Sequence, residues 1–358
     1  MEEPVALLAP VTAGAGPESI EGLPSPRRRR IPTPLAVLLW CTVGFLATVA
    51  VMRIVAWDSF QPFAVLDDVT LFVYLPTWII AGVAAVGRRW VLCAASLLVV
   101  AAQVAFLAPE LTAATPVPGW AANAPTLSLL DANVYNDNPS MAGYSTLIDQ
   151  LRPQLVTLEE VTPPGFDELD SSGALAQLPF RLQIRQFDPW SFLIASRYPV
   201  TGGRAVYAYD RALILQATLS LPSGPIDLWV VHTVAPLPNT FSQWQDQLDL
   251  INRAVRRHGT NRLLVVGDFN ATWGSRGFRQ ILDAGLADGA AVRGQPFAMT
   301  WSQDFPVLPP LVRIDHVLTG TGLTVTRFAT RTGPGSDHRA MVATIAVDGR
   351  PPGRGRGR

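Results

Sequence analysis

The sequence predicts an α/β fold in which two mixed sheets pack together beneath outer helices, with a membrane region in front of them. Between residues 127 and 347, short apolar strands alternate with amphipathic helices, and many consecutive strands are joined by hairpin-length turns. Such connections give mixed sheets, which pack as layers and carry their helices outside. Three long runs without a charged residue come earlier in the chain, at 31–52, 69–87 and 90–109.

The charge composition separates two basic tails from the rest of the chain. The 358 residues include 28 basic and 28 acidic side chains, and every strong base is an arginine. Four arginines occupy 27–30 and four lie between 350 and 358, and without those eight, 20 bases remain against 28 acids. A mildly acidic body argues against a surface that coats nucleic acid. Cys41 and Cys93 both lie in apolar runs, which excludes a disulfide framework elsewhere.

The three uncharged runs predict a membrane anchor over residues 31–109. Each is close to the ~20 residues that span a bilayer, and each is apolar throughout rather than along one stripe. Arginines at 27–30 and at 88–89 place those two loops, and the disordered tail 1–30, in the cytoplasm. Three crossings then put everything after residue 109 outside a multi-pass cell-membrane protein. A cleaved signal peptide is the alternative for the first run, but no small-residue cleavage site follows it.

The remaining chain divides into a linker at 110–126, a folded domain at 127–348 and a disordered basic tail at 349–358. The predicted strands are 127–135, 154–158, 181–186, 191–196, 203–208, 212–221, 226–232, 263–266, 312–318, 324–330 and 340–347. The predicted helices are 141–151, 166–178, 240–258 and 276–284.

Polar residues stand where five of these strands end. Asp268 and Asn270 follow the apolar strand 263–266 one residue apart, so that both side chains are expected to point the same way. The other such residues are Asn133, Glu160, His232, Asp315 and, in a glycine-led turn before the last strand, Asp337 and His338. Each alone is compatible with a turn residue or a satisfied core group. Their convergence predicts one ligand-binding site.

Four short motifs in order carry a resemblance. They are Leu158-Glu159-Glu160-Val161, Ala195-Ser196-Arg197-Tyr198-Pro199, Gly267-Asp268-Phe269-Asn270 and Ser336-Asp337-His338. Together they resemble the endonuclease/exonuclease/phosphatase family of metal-dependent phosphodiesterases, over essentially all of 127–347. The resemblance implies a four-layer α/β/β/α sandwich with its site at a loop-rich edge.

The resemblance also implies roles for the strand-end residues. Glu160 would be the principal ligand of Mg²⁺, or of Mn²⁺ in its place, with Asn133 and Asp337 completing or supporting its shell. Asp268 would deprotonate the attacking water, and Asn270 would donate to the phosphate.

Three further residues complete this implied machinery. His338 would stabilise charge developing on phosphorus, held in orientation by Asp315. His232 would contact a phosphate oxygen or assist the leaving group. Positioning and electrostatic stabilisation of this kind suit phosphoryl transfer.

The chain departs from the family pattern at several positions. Glu159 stands where glutamine is usual, which predicts a slightly more acidic site. Tyr135 stands where the abasic-site nucleases carry an acid, which weakens a DNA-repair role. His316 is expected to be a strand residue. The arginines that could line a basic groove, or lie on the solvated surface, are Arg197, Arg204, Arg211 and Arg313.

The leading hypothesis is therefore an outward-facing, membrane-anchored Mg²⁺-dependent phosphoester hydrolase, with a phosphodiesterase favoured. Its partners would be the bilayer and a nucleic acid, a phospholipid head group or a small phosphoester, with no obligate protein partner. The alternative is a non-catalytic binding or scaffolding module that retains the fold. A serine hydrolase is disfavoured because no Gly-x-Ser-x-Gly motif occurs.

Overall fold

The protein begins with a bundle of apolar helices. The computed structural model describes residues 32–304 and 307–349, so the predicted tail 1–30, and all but the first residue of the predicted tail 349–358, lie outside the described residues. The N-terminal helices are α1 (Thr33–Val55), α2 (Gln61–Asp68), α3 (Thr70–Val73), α4 (Leu75–Val86) and α5 (Trp90–Leu111).

Two of these helices, α1 and α5, are long and apolar enough to cross a membrane, which agrees with the first and third predicted spans. The middle predicted run, 69–87, corresponds to the segment Thr70–Val86, which qualifies as a span only together with α2, from which it is bent by 82°. Pro62 and Pro76 lie at the starts of α2 and α4, where a missing N–H does no harm, and Asp67 and Asp68 end α2. The 17 residues of Thr70–Val86 cover about 25 Å, somewhat less than the ~30 Å hydrocarbon core.

The rest of the chain forms two sheets and their covering helices. The strands are β1 (Thr126–Asn133), β2 (Leu155–Glu159), β3 (Phe180–Ile184), β4 (Phe192–Ser196), β5 (Val200–Ala208), β6 (Arg211–Leu221), β7 (Gly224–His232), β8 (Leu263–Asp268), β9 (Ala287–Asp288), β10 (Asp315–Thr319), β11 (Leu323–Arg331) and β12 (Ala340–Val347). The helices are α6 (Ala142–Leu151), α7 (Pro163–Ser172), α8 (Phe241–His258), α9 (Arg276–Leu282) and α10 (Gly289–Val292).

Each sheet has six strands and contains both parallel and antiparallel pairs. The first sheet has the order β11-β12-β1-β2-β4-β3, and the second has the order β5-β6-β7-β8-β10-β9. The pairs β1–β2 and β7–β8 are parallel, and each is joined by a crossover helix, α6 or α8. Parallel neighbours bring the carboxyl ends of their strands to one edge. Residues that follow β1, β2, β7 and β8 therefore gather there.

The layers follow from which side chains are buried. Apolar residues of both sheets, such as Leu129 and Val266, meet in one central cluster. The outer face of the second sheet packs on α8 through Trp244, whereas α6 and α7 cover the first sheet. Burying one side chain of this size contributes roughly 2–3 kcal/mol. The arrangement is the predicted α/β/β/α sandwich.

Several boundaries differ from the predicted ones. The helix expected at 166–178 is Pro163–Ser172, because Thr162 caps its start and Gly173 ends it in a left-handed conformation. The strand expected at 312–318 begins only at Asp315, and β9 and α10 were not predicted. The expected linker is partly structured: α5 extends to Leu111, and the Thr115 amide donates to the Val292 carbonyl.

Candidate active site

The register of the second sheet brings three predicted site residues side by side. His232 is the parallel partner of Asp268 at the ends of β7 and β8, and Asp315 is the antiparallel partner of Asp268 at the start of β10. Gly267 makes this close pairing feasible. Its φ is +119°, and a Cβ there would lie 2.2 Å from the Val231 carbonyl oxygen. The Gly-Asp-Phe-Asn motif therefore starts with a residue that the backbone requires.

The first sheet contributes the opposite wall. Asn133 Nδ2 donates to Glu160 Oε1 at 2.8 Å and to Asp268 Oδ2 at 3.2 Å, so one amide joins the two sheets. Glu160 Oε2 accepts from the Asn136 amide at 2.9 Å, while the side-chain oxygen of Asn133, Oδ1, accepts from the Tyr135 amide at 3.0 Å. Asn133 therefore supports the two carboxylates rather than presenting its own oxygen to the same point.

The closing turn places His338 against the carboxylates. Ser336 Oγ donates to the Asn133 carbonyl at 2.8 Å and accepts from the His338 amide at 2.9 Å, which ties this turn to β1. His338 Nδ1 lies 3.0 Å from Asp315 Oδ2, and its Nε2 lies 3.8 Å from Asp268 Oδ2. The predicted Asp315–His338 pair is thus present, and Asp268 lies on its other side.

Burial and neighbouring charges shift the ionisation of this pair of groups. Burial raises the pKa of Asp268, and the nearby Asp315 raises it further, to about 8 despite the opposing effect of His338. Burial alone would lower the pKa of His338, but Asp315 and Asp268 raise it to about 10. The imidazole is therefore cationic at neutral pH, and Asp268 is able to exchange a proton near neutrality.

His232 lies between the two sheets at the base of the cleft. Its Nδ1 lies 3.0 Å from the Pro189 carbonyl oxygen and its Nε2 lies 3.3 Å from Glu160 Oε1. The ring stacks on Trp190 with centroids 4.8 Å apart. Burial lowers the pKa of His232, although Glu160 opposes that effect. The Pro189 carbonyl can only accept, so Nδ1 carries a proton and Nε2 faces the Glu160 carboxylate.

Asn270 and Asp337 lie at the rim. Asn270 Nδ2 donates to Asp268 Oδ2 at 3.1 Å and to the Thr233 carbonyl at 3.0 Å. Asp337 Oδ2 accepts from Trp301 Nε1 at 2.8 Å, and Asp337 Oδ1 lies 3.9 Å from His338 Nε2. Asp337 is therefore close to the other groups but is held by Trp301 and does not contact Glu160.

A cleft of about 350 Å³ opens above these groups. Six of the eight predicted residues line it, while Asn133 and Asp315 lie behind its wall. The lining residues that the sequence did not suggest include Trp190 and Trp301, which come from loops without a recognisable motif. Of the four arginines considered for a groove, Arg211 lines this cleft, with its guanidinium 5.1 Å from the Trp190 ring centroid.

The backbone around the cleft is strained at three non-glycine residues. Tyr135, Glu160 and Asn270 have φ values of +65°, +63° and +45°. Such left-handed conformations are costly and tend to persist where surrounding contacts enforce them at functional sites. Each of these residues lies within two residues of the end of a strand. The left-handed backbone therefore changes the direction of the chain where it reaches the cleft.

The donor set fits a hard divalent cation. Glu160 borders the cleft with 13% of its side chain exposed, and Asp268 is joined to it through Asn133. Asp268, Asp315 and His338 also present ligand atoms within 4.8 Å of one another. Because Asp315 and His338 already hydrogen-bond to each other, that trio is internally satisfied, whereas the Glu160 carboxylate borders the cleft.

Glu159 does not face the cleft as the sequence suggested. It is fully buried beneath the site, beside Asp131, and burial raises the pKa of both carboxyl groups well above their ordinary values. Neutral carboxyl groups add little negative charge to the cleft. The expected increase in acidity therefore does not follow from this substitution.

Arg313 does not lie in a groove or on the surface, which corrects the alternatives given for it. It is 3% exposed and forms ion pairs with Asp288 and with Glu110 at the end of α5. His316 Nδ1 lies 3.0 Å from Asp288 Oδ2, and its Nε2 lies 2.9 Å from the Ala271 carbonyl oxygen. Asp288 lies in a segment for which no helix or strand was predicted, so no local sequence pattern could reveal this network.

Replacing Asp288 by asparagine is expected to destabilise the fold by about 3 kcal/mol, because it leaves the buried Arg313 with one carboxylate. Burial would raise the pKa of Asp288, but Arg313 and His316 hold it well below its ordinary value. Its contribution is therefore complete above the unfolded-state pKa of about 3.9 and is lost as pH falls toward the folded-state pKa. Thermal unfolding in detergent at pH 7 and pH 3 measures both effects.

A matched control is Asp170→Asn, which removes an exposed ion pair with Arg181. Such pairs contribute at most about 1 kcal/mol, so this variant should unfold close to the wild-type temperature. Equal midpoints for Asp288→Asn and Asp170→Asn at pH 7 would contradict the structural role of the buried network.

Comparison with known proteins identifies the fold and the family. Residues 132–338 match the Endonuclease/Exonuclease/phosphatase family model. No curated protein matches the chain in sequence.

Solved structures show the same architecture. A D. rerio TDP2 structure with a single-strand DNA product is 16% identical, covers 62% of this chain and 99% of its own, and has a TM-score of 0.52. The 3′ phosphatase NExo from Neisseria, bound to a product DNA hairpin, is 17% identical over 61% of this chain and 98% of its own, with a TM-score of 0.50. At these identities the likeness shows the fold alone.

Proposed function

Because the chain belongs to the endonuclease/exonuclease/phosphatase family, whose members are metal-dependent nucleases and phosphatases, we propose that it is a membrane-anchored phosphodiesterase. The observation that supports this most directly is the meeting of Asp268, Glu160, His232 and the Asp315–His338 pair in one cleft. Carboxylates on one side and a cationic imidazole on the other suit the hydrolysis of an anionic ester.

The proposed roles follow from position and charge. A bound Mg²⁺ or Mn²⁺ would polarise a phosphoryl oxygen, and Glu160, with Asn133 and Asp337 in support, would hold it. Asp268 accepts the proton of the attacking water, because its raised pKa lies near neutrality. Cationic His338, oriented by Asp315, offers Nε2 to the charge that develops on phosphorus.

The remaining polar groups would position the ester. Asn270 Nδ2 donates one hydrogen bond to Asp268 Oδ2 and another to the Thr233 carbonyl. These bonds fix its side chain at the rim where a phosphate would enter. His232, fixed by Pro189 and Trp190, would contact a phosphate oxygen or assist the leaving group when its Nε2 carries a proton. The ester is thus held between the two sheet edges.

Removal of divalent metal is expected to abolish turnover. We expect the full-length protein in detergent to hydrolyse an artificial phosphodiester with Mg²⁺ or Mn²⁺, to lose at least ~10²-fold in rate with EDTA, and to recover on metal addition. Glu160→Gln should raise the metal concentration needed for half-maximal activity and should also lower the maximal rate. The matched control is Glu168→Gln, which lies on α7 outside the cleft and should respond to metal as the wild type does.

The substrate is proposed as a phosphodiester, and the family allows nucleic acid, a phospholipid head group or a small phosphoester. Assays on duplex DNA, RNA, sphingomyelin and phosphoinositides, with Mg²⁺ or EDTA, would separate these. No metal-dependent turnover on any of them would favour the alternative, a non-catalytic binding or scaffolding module. That module would leave the cleft intact but perform no chemistry.

We also propose that the catalytic domain lies on the extracytoplasmic side of the cell membrane. This orientation needs three crossings: α1 and α5 are each long enough to cross a bilayer, and α2 with Thr70–Val86 would form the third span. The arginines at 27–30 and 88–89 favour the cytoplasmic side. Protease treatment of intact cells tests it. Digestion of the domain is expected. Protection until the cells are permeabilised would show that the domain faces the cytoplasm.

A further inference from the structure

The membrane region does not stop at the boundary of the catalytic domain. Ala64 of α2 is 2% exposed and belongs to the same apolar cluster as Trp244, Phe269 and Ala271. Phe269 and Ala271 flank Asn270 in the chain. The bent segment between α1 and α4 therefore contributes a side chain to the core directly behind the strand end that carries Asp268 and Asn270.

Hydrogen bonds attach the same segment to the loop after β8. Asp68 Oδ1 accepts from Thr272 Oγ1 at 2.7 Å and from Ser275 Oγ at 2.8 Å. Trp57 Nε1 donates to the Gly274 carbonyl at 2.8 Å. Gly274 itself approaches the backbone so closely that a Cβ would lie 2.1 Å from the Asp67 carbonyl oxygen.

The attachment continues into the helix that follows the loop. Asp58 Oδ2 accepts from the Arg276 amide at 2.8 Å, at the start of α9, and is 7% exposed. Gln245 of α8 donates to the Asp58 carbonyl at 2.7 Å. A carboxylate supplied by the membrane region thus caps a catalytic-domain helix from outside it.

A second attachment reaches the other catalytic carboxylate. Glu110, near the C-terminal end of α5, pairs with the buried Arg313, two residues before Asp315. Arg313 also contacts His316, whose Nε2 lies 2.9 Å from the Ala271 carbonyl oxygen. The two attachments therefore converge on the chain segments that hold Asp268 and Asp315.

We propose that the membrane region is a structural component of the active site, with Asp68 and Glu110 as positioning residues for the segments that carry Asp268, Asn270 and Asp315. This inference rests on the proposed hydrolase function. Asp68 acts through Thr272 and Ser275, and Glu110 acts through Arg313. Neither carboxylate lines the cleft, so neither touches substrate.

A positioning role has a kinetic signature. A small displacement of catalytic groups lowers the rate of the chemical step, whereas a substrate pocket that is otherwise intact keeps its affinity. We expect Asp68→Ala in the full-length protein to lower kcat about tenfold or more on an artificial phosphodiester, with KM within twofold of the wild-type value. The kcat of Asp68→Asn, which retains an acceptor oxygen, should lie between the values of Asp68→Ala and the wild type.

A double-mutant cycle separates positioning from a general loss of stability. Ser275→Ala should lower kcat in the same sense, and Asp68→Ala/Ser275→Ala should cost less than the product of the two single effects, because both remove the same bond. The matched control is Asp249→Ala on the exposed face of α8, which should leave kcat unchanged. If Asp68→Ala does not fold, Thr272→Val with Ser275→Ala tests the same contact from the other side.

Hydrogen exchange provides a readout that does not depend on turnover. Amides between 269 and 276 should exchange faster in Asp68→Ala than in the wild type, while the amides of β1 and β2 should not. A wild-type protein without metal-dependent turnover would overturn the proposed function, and exchange would still decide the positioning role. Folded Asp68→Ala with wild-type kcat and wild-type exchange in this loop would overturn the inference.

Discussion

Replacing Asp268 by asparagine is expected to lower kcat by at least ~10²-fold, the scale on which a positioned general base contributes. The substitution keeps the size of the side chain, and one oxygen remains to accept either from the two side-chain amides of Asn133 and Asn270 or from the Asn270 backbone amide. It removes the group that accepts the proton of the attacking water. Substrate affinity should not fall, because an anionic carboxylate repels a phosphate and its replacement removes no attraction.

The measurement is steady-state hydrolysis of an artificial phosphodiester by the full-length protein at saturating Mg²⁺. Asp249→Asn on the exposed face of α8 is the control for the same chemical change, and it should retain wild-type rates. Asp268→Asn with wild-type kcat would show that another group activates the water. Such a result would leave the fold and the cation position intact and would exclude the central role proposed for this carboxylate.

Much of the site could be predicted because its residues come from strand ends. An apolar run that stops at Asp268, or at His232, fixes both the strand and the place where its polar residue emerges. Parallel pairing of β7 with β8 then brings the two ends to one edge without further information. The positions of Glu160 and Asn133 follow in the same way from β1 and β2.

Contacts between residues distant in sequence could not be predicted. Arg313 meets Glu110 and Asp288 through the three-dimensional arrangement alone, and a single sequence does not show which charges pair. The bend after α2 lies just before the predicted run 69–87, and the composition of that run does not show it. The contacts of Asp68 with Thr272 and Ser275 join residues more than 200 positions apart, so they too could not be predicted.

This difference bears on how the protein should be handled. A chain that begins after α5 lacks Ala64, which closes an apolar cluster behind the site, and Glu110, which neutralises Arg313. An uncompensated buried charge and an opened core are both destabilising. Biochemical tests therefore need the membrane region, because weak activity of an isolated domain would not represent the activity of the cleft in the full-length protein.

Replacing His338 by glutamine is expected to lower kcat by ~10²–10³-fold, because it removes a cationic donor aimed at charge that develops in the transition state. The pH dependence identifies the cause. Asp315 and Asp268 raise the pKa of His338 to about 10, so the wild-type imidazole stays protonated through neutral pH and loses its proton only as pH rises through that value. Activity that depends on the cation should decline over the same range.

Asp315→Asn should move that alkaline decline to lower pH, because the carboxylate 3.0 Å from Nδ1 no longer favours the protonated ring. Because Asp268 must also lose its proton to act, the comparison is made on the alkaline limb of each profile, where the charge of His338 decides the rate. The profile of kcat between pH 6 and pH 10 measures this shift. An alkaline limb in the same place for Asp315→Asn and wild type would mean that the decline reports another group, and that Asp315 orients the ring without governing its charge.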